Sequence, residues 1–166
     1  VIGILHADDF LQDSSVLADI ASLFQDPNTD AVFGDLEYVD RSDIDYVVRR
    51  WKTKPFSKGR LARGWMPPHP TLYIRKSWYD RCGEYKQYYT IAADYLYVLK
   101  LFLHDDFRSV YLPRVLVKMR TGGVSNRSFR NIAAKTRQDY RVLKEIGFGG
   151  AETVAMKNLR KIRQFF

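Results

Sequence analysis

Residues 1–38 read VIGILHADDF LQDSSVLADI ASLFQDPNTD AVFGDLEY, and their apolar rhythm changes twice. Val1 to Leu5 is an apolar run ended by His6, Asp8 and Asp9, the pattern of a strand buried on both faces. From Val16 the spacing becomes helical. Val16, Leu17, Ile20, Leu23 and Phe24 form one stripe, with Asp13 or Ser14 placed to cap it and Asp26-Pro27-Asn28 placed to stop it. Ala31-Val32-Phe33 then opens a second strand, and Leu36 and Tyr38 alternate with Asp35 and Glu37 beyond Gly34. A strand, a helix of about a dozen residues and another strand make a crossover unit, so the expected fold class is α/β.

Downstream, residues 41–70 have weak periodicity and many cations, and they close on Trp65-Met66-Pro67-Pro68-His69-Pro70. Prolines at 67, 68 and 70 deny a regular element and impose an extended loop. Thr71 to Ile74 reads as a strand, and Ser77 is placed to cap a short helix that ends at Cys82-Gly83. Ala92 to Leu103 is apolar nearly all round, as in a helix buried on most sides. Val110–Leu112 and Val115–Val117 are extended segments divided by Pro113, hence an edge strand or a bend. Two amphipathic helices follow Gly122-Gly123. Phe129, Ile132, Thr136, Tyr140 and Leu143 form the apolar face of the first, which Gly147 ends. The second starts near Ala151, with Ala155, Leu159, Ile162 and Phe166 aligned and Lys157, Arg160, Lys161 and Arg163 opposite. No repeat, low-complexity tract or linker interrupts this order, so one domain with a helical tail is expected.

The chain has 166 residues, 46% hydrophobic and 14% aromatic, which suffices for one core and excludes disorder. Cys82 stands alone, which excludes a disulfide scaffold and suits a reducing compartment or a buried thiol. No apolar run is long enough to span a membrane, and the first residues lack the basic region of a signal peptide. Opening without Met, directly on a strand, predicts a fragment of a larger protein. The net charge of +8 is uneven: residues 1–50 sum to −8 and residues 51–166 to +16. Such asymmetry suggests an acidic front able to bind metal and a body that meets anions.

Several groups could carry chemistry. Asp8 and Asp9 directly follow the first strand, and open α/β sheets bind ligands outside the carboxyl ends of their strands. Two adjacent carboxylates there can hold a hard divalent cation; the alternative is a solvated turn before a helix. His104-Asp105-Asp106 repeats those residue types but follows a helix, so it reads as a helix-terminal turn. Asp94 stands among apolar neighbours where the buried helix begins, which suits either a functional acid or base or a first-turn carboxylate stabilised by the helix dipole. His69 lies on the proline-stiffened loop, and Gly122-Gly123 with Ser125 could turn backbone N–H groups toward a phosphate. There is no G-x-x-x-x-G-K-[ST] loop, and one Cys with three scattered His does not make a structural zinc site.

Taken in order, the strand ending in Asp8-Asp9, the Met66-Pro67-Pro68-His69-Pro70-Thr71 loop and Ile91-Ala92-Ala93-Asp94-Tyr95 resemble family 2 glycosyltransferases of the GT-A fold, most closely the bacterial enzymes of polysaccharide and surface-glycan assembly. The resemblance covers about residues 1–125, the metal- and acceptor-side portion of that domain, with 126–166 as a helical tail. It implies a mixed sheet with flanking helices and sugar transfer from a nucleotide-diphosphate sugar to a hydroxyl of a glycan or lipid-linked acceptor. By resemblance Ala7-Asp8-Asp9 matches the metal triplet with its first acid replaced, so that Asp9 ligates a divalent metal (Mn or Mg) and Asp8 aids metal or nucleotide binding. Asp94 matches the catalytic base, His69 the acceptor side, and Arg120 with Gly122, Gly123 and Ser125 the segment near the diphosphate. The implied mechanism is a single displacement with inversion. The family's nucleotide-binding strands are missing, so this chain alone is expected to be inactive. A cytoplasmic enzyme is expected, with no nucleic-acid partner. The basic tail either packs its apolar face on the domain, which we favour, or lies on an anionic membrane at its inner face. The rival from another class is a basic nucleic-acid-binding module, supported by the +16 body and by Trp51, Trp65 and Tyr88 near cations.

Overall fold

The computed structural model describes residues 1–83, 89, 92–122 and 129–162. They form a mixed α/β fold with six strands, β1 (Ile2–Gly3), β2 (Asp9–Leu11), β3 (Ala31–Val39), β4 (Val47–Trp51), β5 (Tyr73–Ile74) and β6 (Ser109–Arg120). The helices are α1 (Val16–Leu23), α2 (Lys58–Ala62), α3 (Lys76–Cys82), α4 (Ala93–Leu103), α5 (Phe129–Ile146) and α6 (Ala151–Ile162). Strand β3 is central. It runs parallel to β6 along one edge and pairs antiparallel with β5 and then β4 along the other. β1 lies antiparallel to β5 at one end of the sheet and β2 antiparallel to β6 at the opposite end. β1 and β3 therefore point the same way, but the chain between them is not the simple strand–helix–strand crossover expected. It first forms β2 on the far edge of the sheet; α1 then leads from β2 to β3, and β5 lies between β1 and β3.

Each face of the sheet buries its own core. α1 sets Val16 and Ile20 against Val32, Leu36, Leu116 and Val117. The opposite core is aromatic, with Phe33, Trp65, Phe102 and Phe107 packed under α2 to α6. Polar contacts fix α1 at both ends. Arg114 of β6 ion-pairs with Asp13 and Asp19. At the C-terminal end Arg75 donates to the carbonyls of Phe24 and Asp26 at 2.9 Å, where a cation complements the helix dipole. Gly34 marks the closest approach of β3 to β6, because a Cβ there would lie 2.6 Å from Leu116 Cγ. The register of the two strands shifts on either side of Asp35.

The structure corrects several expectations. β1 is an exposed two-residue strand rather than a doubly buried one, because it pairs only with β5 at the end of the sheet, and Val1 is 60% exposed. Residues 41–70 contain β4 and α2; β4 reads Val-Val-Arg-Arg-Trp, so although its residues alternate between half-buried and exposed as in an outer strand, its apolar signal is thin. His69–Thr71 form one 3-10 turn within the proline loop. Pro113 sits inside the continuous strand β6, at a point that β2, pairing only with Val117–Met119, does not reach. Ser15 rather than Asp13 or Ser14 precedes α1, and Arg75 rather than Ser77 precedes α3.

The two tail helices also turn differently from their apolar stripes. α5 buries Asp139, Val142 and Leu143 and leaves Tyr140 40% exposed. In α6 Thr153, Val154 and Lys157 face inward, while Leu159 is 55% exposed. The favoured packing of the Ala155–Leu159 face on the domain is thus overturned. An inward ion pair, described below, sets the rotation instead. No helix among the described residues is long and apolar enough to cross a membrane.

Candidate functional site

β6 ends at Arg120, level with the end of β3, and the chain that leaves β1 reaches this edge of the sheet through the His6–Asp9 turn. The Asp9 N–H donates to the His6 carbonyl at 3.1 Å, closing the turn, and Asp9 then pairs with Met119 as the first residue of β2. One residue farther along β6, Arg120 Nη1 donates to the Asp8 carbonyl at 3.2 Å. Its guanidinium also lies 5.3 Å from the Phe10 ring centroid. These contacts press the acidic turn against the end of β6.

Asp9 is only 8% exposed, and neither of its carboxylate oxygens makes a hydrogen bond of ordinary length, although the Arg120 backbone N–H lies near enough to favour its charge. Burial pushes its pKa up, with the Asp8 charge adding to the effect, while His6 and Arg120 oppose it. A buried carboxylate without a partner is costly, and a bound cation removes that cost. No group of three or more His, Cys, Asp or Glu among the described residues could hold a metal with protein ligands alone. One or two carboxylates completed by substrate phosphates and water are, however, the usual setting of a hard divalent ion such as Mg²⁺. Asp9 and Asp8 fit that arrangement.

The sign of the Asp9 shift gives a stability prediction. A carboxyl with a raised folded pKa binds its proton more tightly in the native state. Its contribution to stability is therefore present below the ordinary value of 3.8 and lost as pH rises through the folded pKa. At neutral pH, Asp9→Asn is expected to raise the melting midpoint of the metal-free protein by about 2–4 °C, equivalent to about 1 kcal/mol in a domain of this size. The difference should vanish in acid. Thermal unfolding of both proteins at pH 3 and 7 is the check, and a lowered midpoint at pH 7 would contradict the reading of Asp9 as an uncompensated charge.

His69 reaches the same corner from the proline loop. Thr71, fully buried, anchors that loop: its hydroxyl lies 2.8 Å from the Pro68 carbonyl and 3.0 Å from that of Gly34 in β3. The rings of His6 and His69 are 6.5 Å apart, centroid to centroid. Burial lowers the His69 pKa, nearby Asp94 opposes the shift and His6 adds to it, which favours a neutral imidazole. Asp94 occupies the first turn of α4, half-buried, and its Oδ1 accepts a 2.8 Å bond from the Tyr95 N–H.

The structure therefore brings Asp8, Asp9, Arg120, His69 and Asp94 to one neighbourhood, with His6 between its acidic and imidazole halves. Gly122 follows close by with φ +103°, where glycine is favoured; Gly123 and Ser125 lie outside the described residues. His6 and Thr71 are site residues that no motif in the sequence singles out. His6 stands two residues before Asp8, a signal available to a reader who treats the whole turn as one unit. Asp105 and Asp106 form surface ion pairs with Lys58 and Arg81, as a helix-terminal turn should. A separate concavity of about 330 Å³, lined by Cys82, Lys100 and His104 among others, opens at the opposite end of α4. No protein-family model matches the chain, and no curated protein matches it either.

Proposed function

We propose that the chain carries the metal-side and acceptor-side residues of an inverting family 2 glycosyltransferase of the GT-A fold. The reaction is transfer of a sugar from a nucleoside-diphosphate donor to an acceptor hydroxyl. The observation that carries the reading is the buried Asp9 carboxylate beside the end of β6, with no hydrogen bond of ordinary length, and with the His6–His69 pair between it and Asp94. Asp94 takes the proton from the acceptor hydroxyl while that oxygen bonds to the anomeric carbon and the bond to the diphosphate oxygen breaks. His69, kept neutral by burial, is suited to orient the acceptor hydroxyl through a hydrogen bond. Arg120 holds the Asp8 carbonyl and offers positive charge to the diphosphate side. Asp9, with Asp8, would hold a divalent cation, which when bound would supply charge neutralisation for the leaving diphosphate.

Calorimetric titration with UDP and with GDP, in Mn²⁺ and in EDTA, tests this in the protein at its natural length. Binding of one of them is expected with Mn²⁺, weakened at least about tenfold by EDTA or by Asp9→Ala. Binding that ignores both would overturn the assignment of Asp9. Failure to bind either, together with oligonucleotide binding that weakens steeply with salt, would favour the basic nucleic-acid module instead.

A further inference from the structure

The inward face of α6 leads to a part of the site that the acidic turn does not explain. Lys157 is 8% exposed, and its ammonium lies 2.8 Å from Asp139 of α5 and 3.2 Å from the Tyr95 ring centroid in the first turn of α4. Asp139 is 1% exposed, so the pair sits in the interior between three helices. The same turn of α4 is held from α5 a second time, because the Ala92 N–H donates to Gln138 Oε1 at 3.2 Å. Just upstream, the Tyr89 hydroxyl donates to Glu145 at 2.9 Å.

α6 also grips the backbone that leads into the His69 loop. Thr153 Oγ1 donates to the Ala62 carbonyl at 2.9 Å, and Arg160 Nε donates to the Arg63 carbonyl at 3.0 Å. Between them Gly64, at φ +74°, lies flat on the helix; a Cβ there would come within 2.6 Å of the Lys157 backbone nitrogen. Lys157 thus meets the backbone leading into the His69 loop at Gly64 and the Asp94 turn, through Tyr95, with its side chain. Burial draws its ammonium down to about 8 against the attraction of Asp139. A hydrophobic residue could fill such a site at less cost, so stability alone is a poor reason for an ion pair here.

We propose that Lys157 is a positioning residue, and that α6 is the brace setting the distance between His69 on its loop and Asp94 on α4. The proposal rests on the glycosyltransferase reading, since it assigns the brace to that reaction's base and acceptor side. The donor side, built from Asp8, Asp9 and Arg120, makes none of these contacts. Loosening the brace should therefore affect turnover more than donor binding.

The test compares the wild type, Lys157→Arg and the double variant Lys157→Met/Asp139→Asn, which removes both charges together so that neither is left buried alone. In the double variant kcat is expected to fall at least about tenfold with donor KM within about twofold, while Lys157→Arg keeps most of the turnover. Hydrogen exchange at the Tyr95 and Leu96 amides should quicken by about tenfold or more in the double variant, while core amides of β3 stay protected. Unchanged kcat, or a parallel loss of kcat, donor affinity and global protection, would overturn the positioning role. The exchange readout needs no enzyme activity. If the wild type neither binds a nucleoside diphosphate with Mn²⁺ nor transfers a sugar, the glycosyltransferase reading fails by itself; unchanged exchange at Tyr95 sinks the brace by itself.

Discussion

On the proposed mechanism, replacing Asp94 by Asn is expected to lower glycosyl transfer by about 10²- to 10⁴-fold, with donor binding nearly unchanged. Asn keeps the shape and the acceptor oxygen for the 2.8 Å bond from the Tyr95 N–H. What it loses is the ability to take a proton from the acceptor hydroxyl. Loss of a first-turn negative charge costs the helix only about 0.3–1 kcal/mol, so the fold should survive. Steady-state kinetics on the protein at its natural length, with circular dichroism to confirm folding, makes the comparison. Near-full activity in Asp94→Asn would remove Asp94 from the role of base and leave His69, which shares its neighbourhood, as the next group to test.

The largest effect on stability is expected from Phe102→Ala, at about 3–5 kcal/mol. Phe102 is fully buried and sits at the centre of an aromatic cluster, 5.0 Å from Phe56, 5.1 Å from Phe107 and 5.5 Å from Trp65 by ring centroids. Truncation removes the apolar transfer term and leaves a cavity walled by rigid rings, which collapse poorly. Against a total of about 5–15 kcal/mol for a typical domain, that is a large share. Urea unfolding of Phe102→Ala and of Leu159→Ala gives the contrast. Leu159, equally apolar but 55% exposed, should change stability by no more than about 0.5 kcal/mol. A large loss at Leu159 would mean that α6 presents the opposite face to the domain.

That contrast shows where reading the chain succeeds. Ala31–Phe33, the Ala92–Leu103 helix and the Gly147 stop are all present as read, because each is specified by its own local pattern: a β-branched and aromatic run, an apolar helix, a positive-φ glycine. The candidate residues Asp8, Asp9, His69, Arg120 and Asp94 were likewise legible one by one, as chemistry-bearing groups at strand ends, on a stiff loop and at a helix start. Their common location was not. Asp9 and His69 are sixty residues apart in sequence, and only the antiparallel pairing of β1 with β5 brings their turns to one corner.

By itself, then, the sequence determined the α/β class, the principal helices and strands, and which side chains could do chemistry. The tertiary structure alone decided the mixed strand order, the exposure of β1, the burial of Asp9 and the rotation of α6. The physical reason is that periodicity records only an element's average preference for water. α6 carries apolar and cationic residues on competing faces, and a buried Asp139 on another helix, with the flat surface of Gly64 on a loop, selects the face that turns inward. Such a choice depends on pairwise partners far apart in the chain, and no window along the sequence contains both.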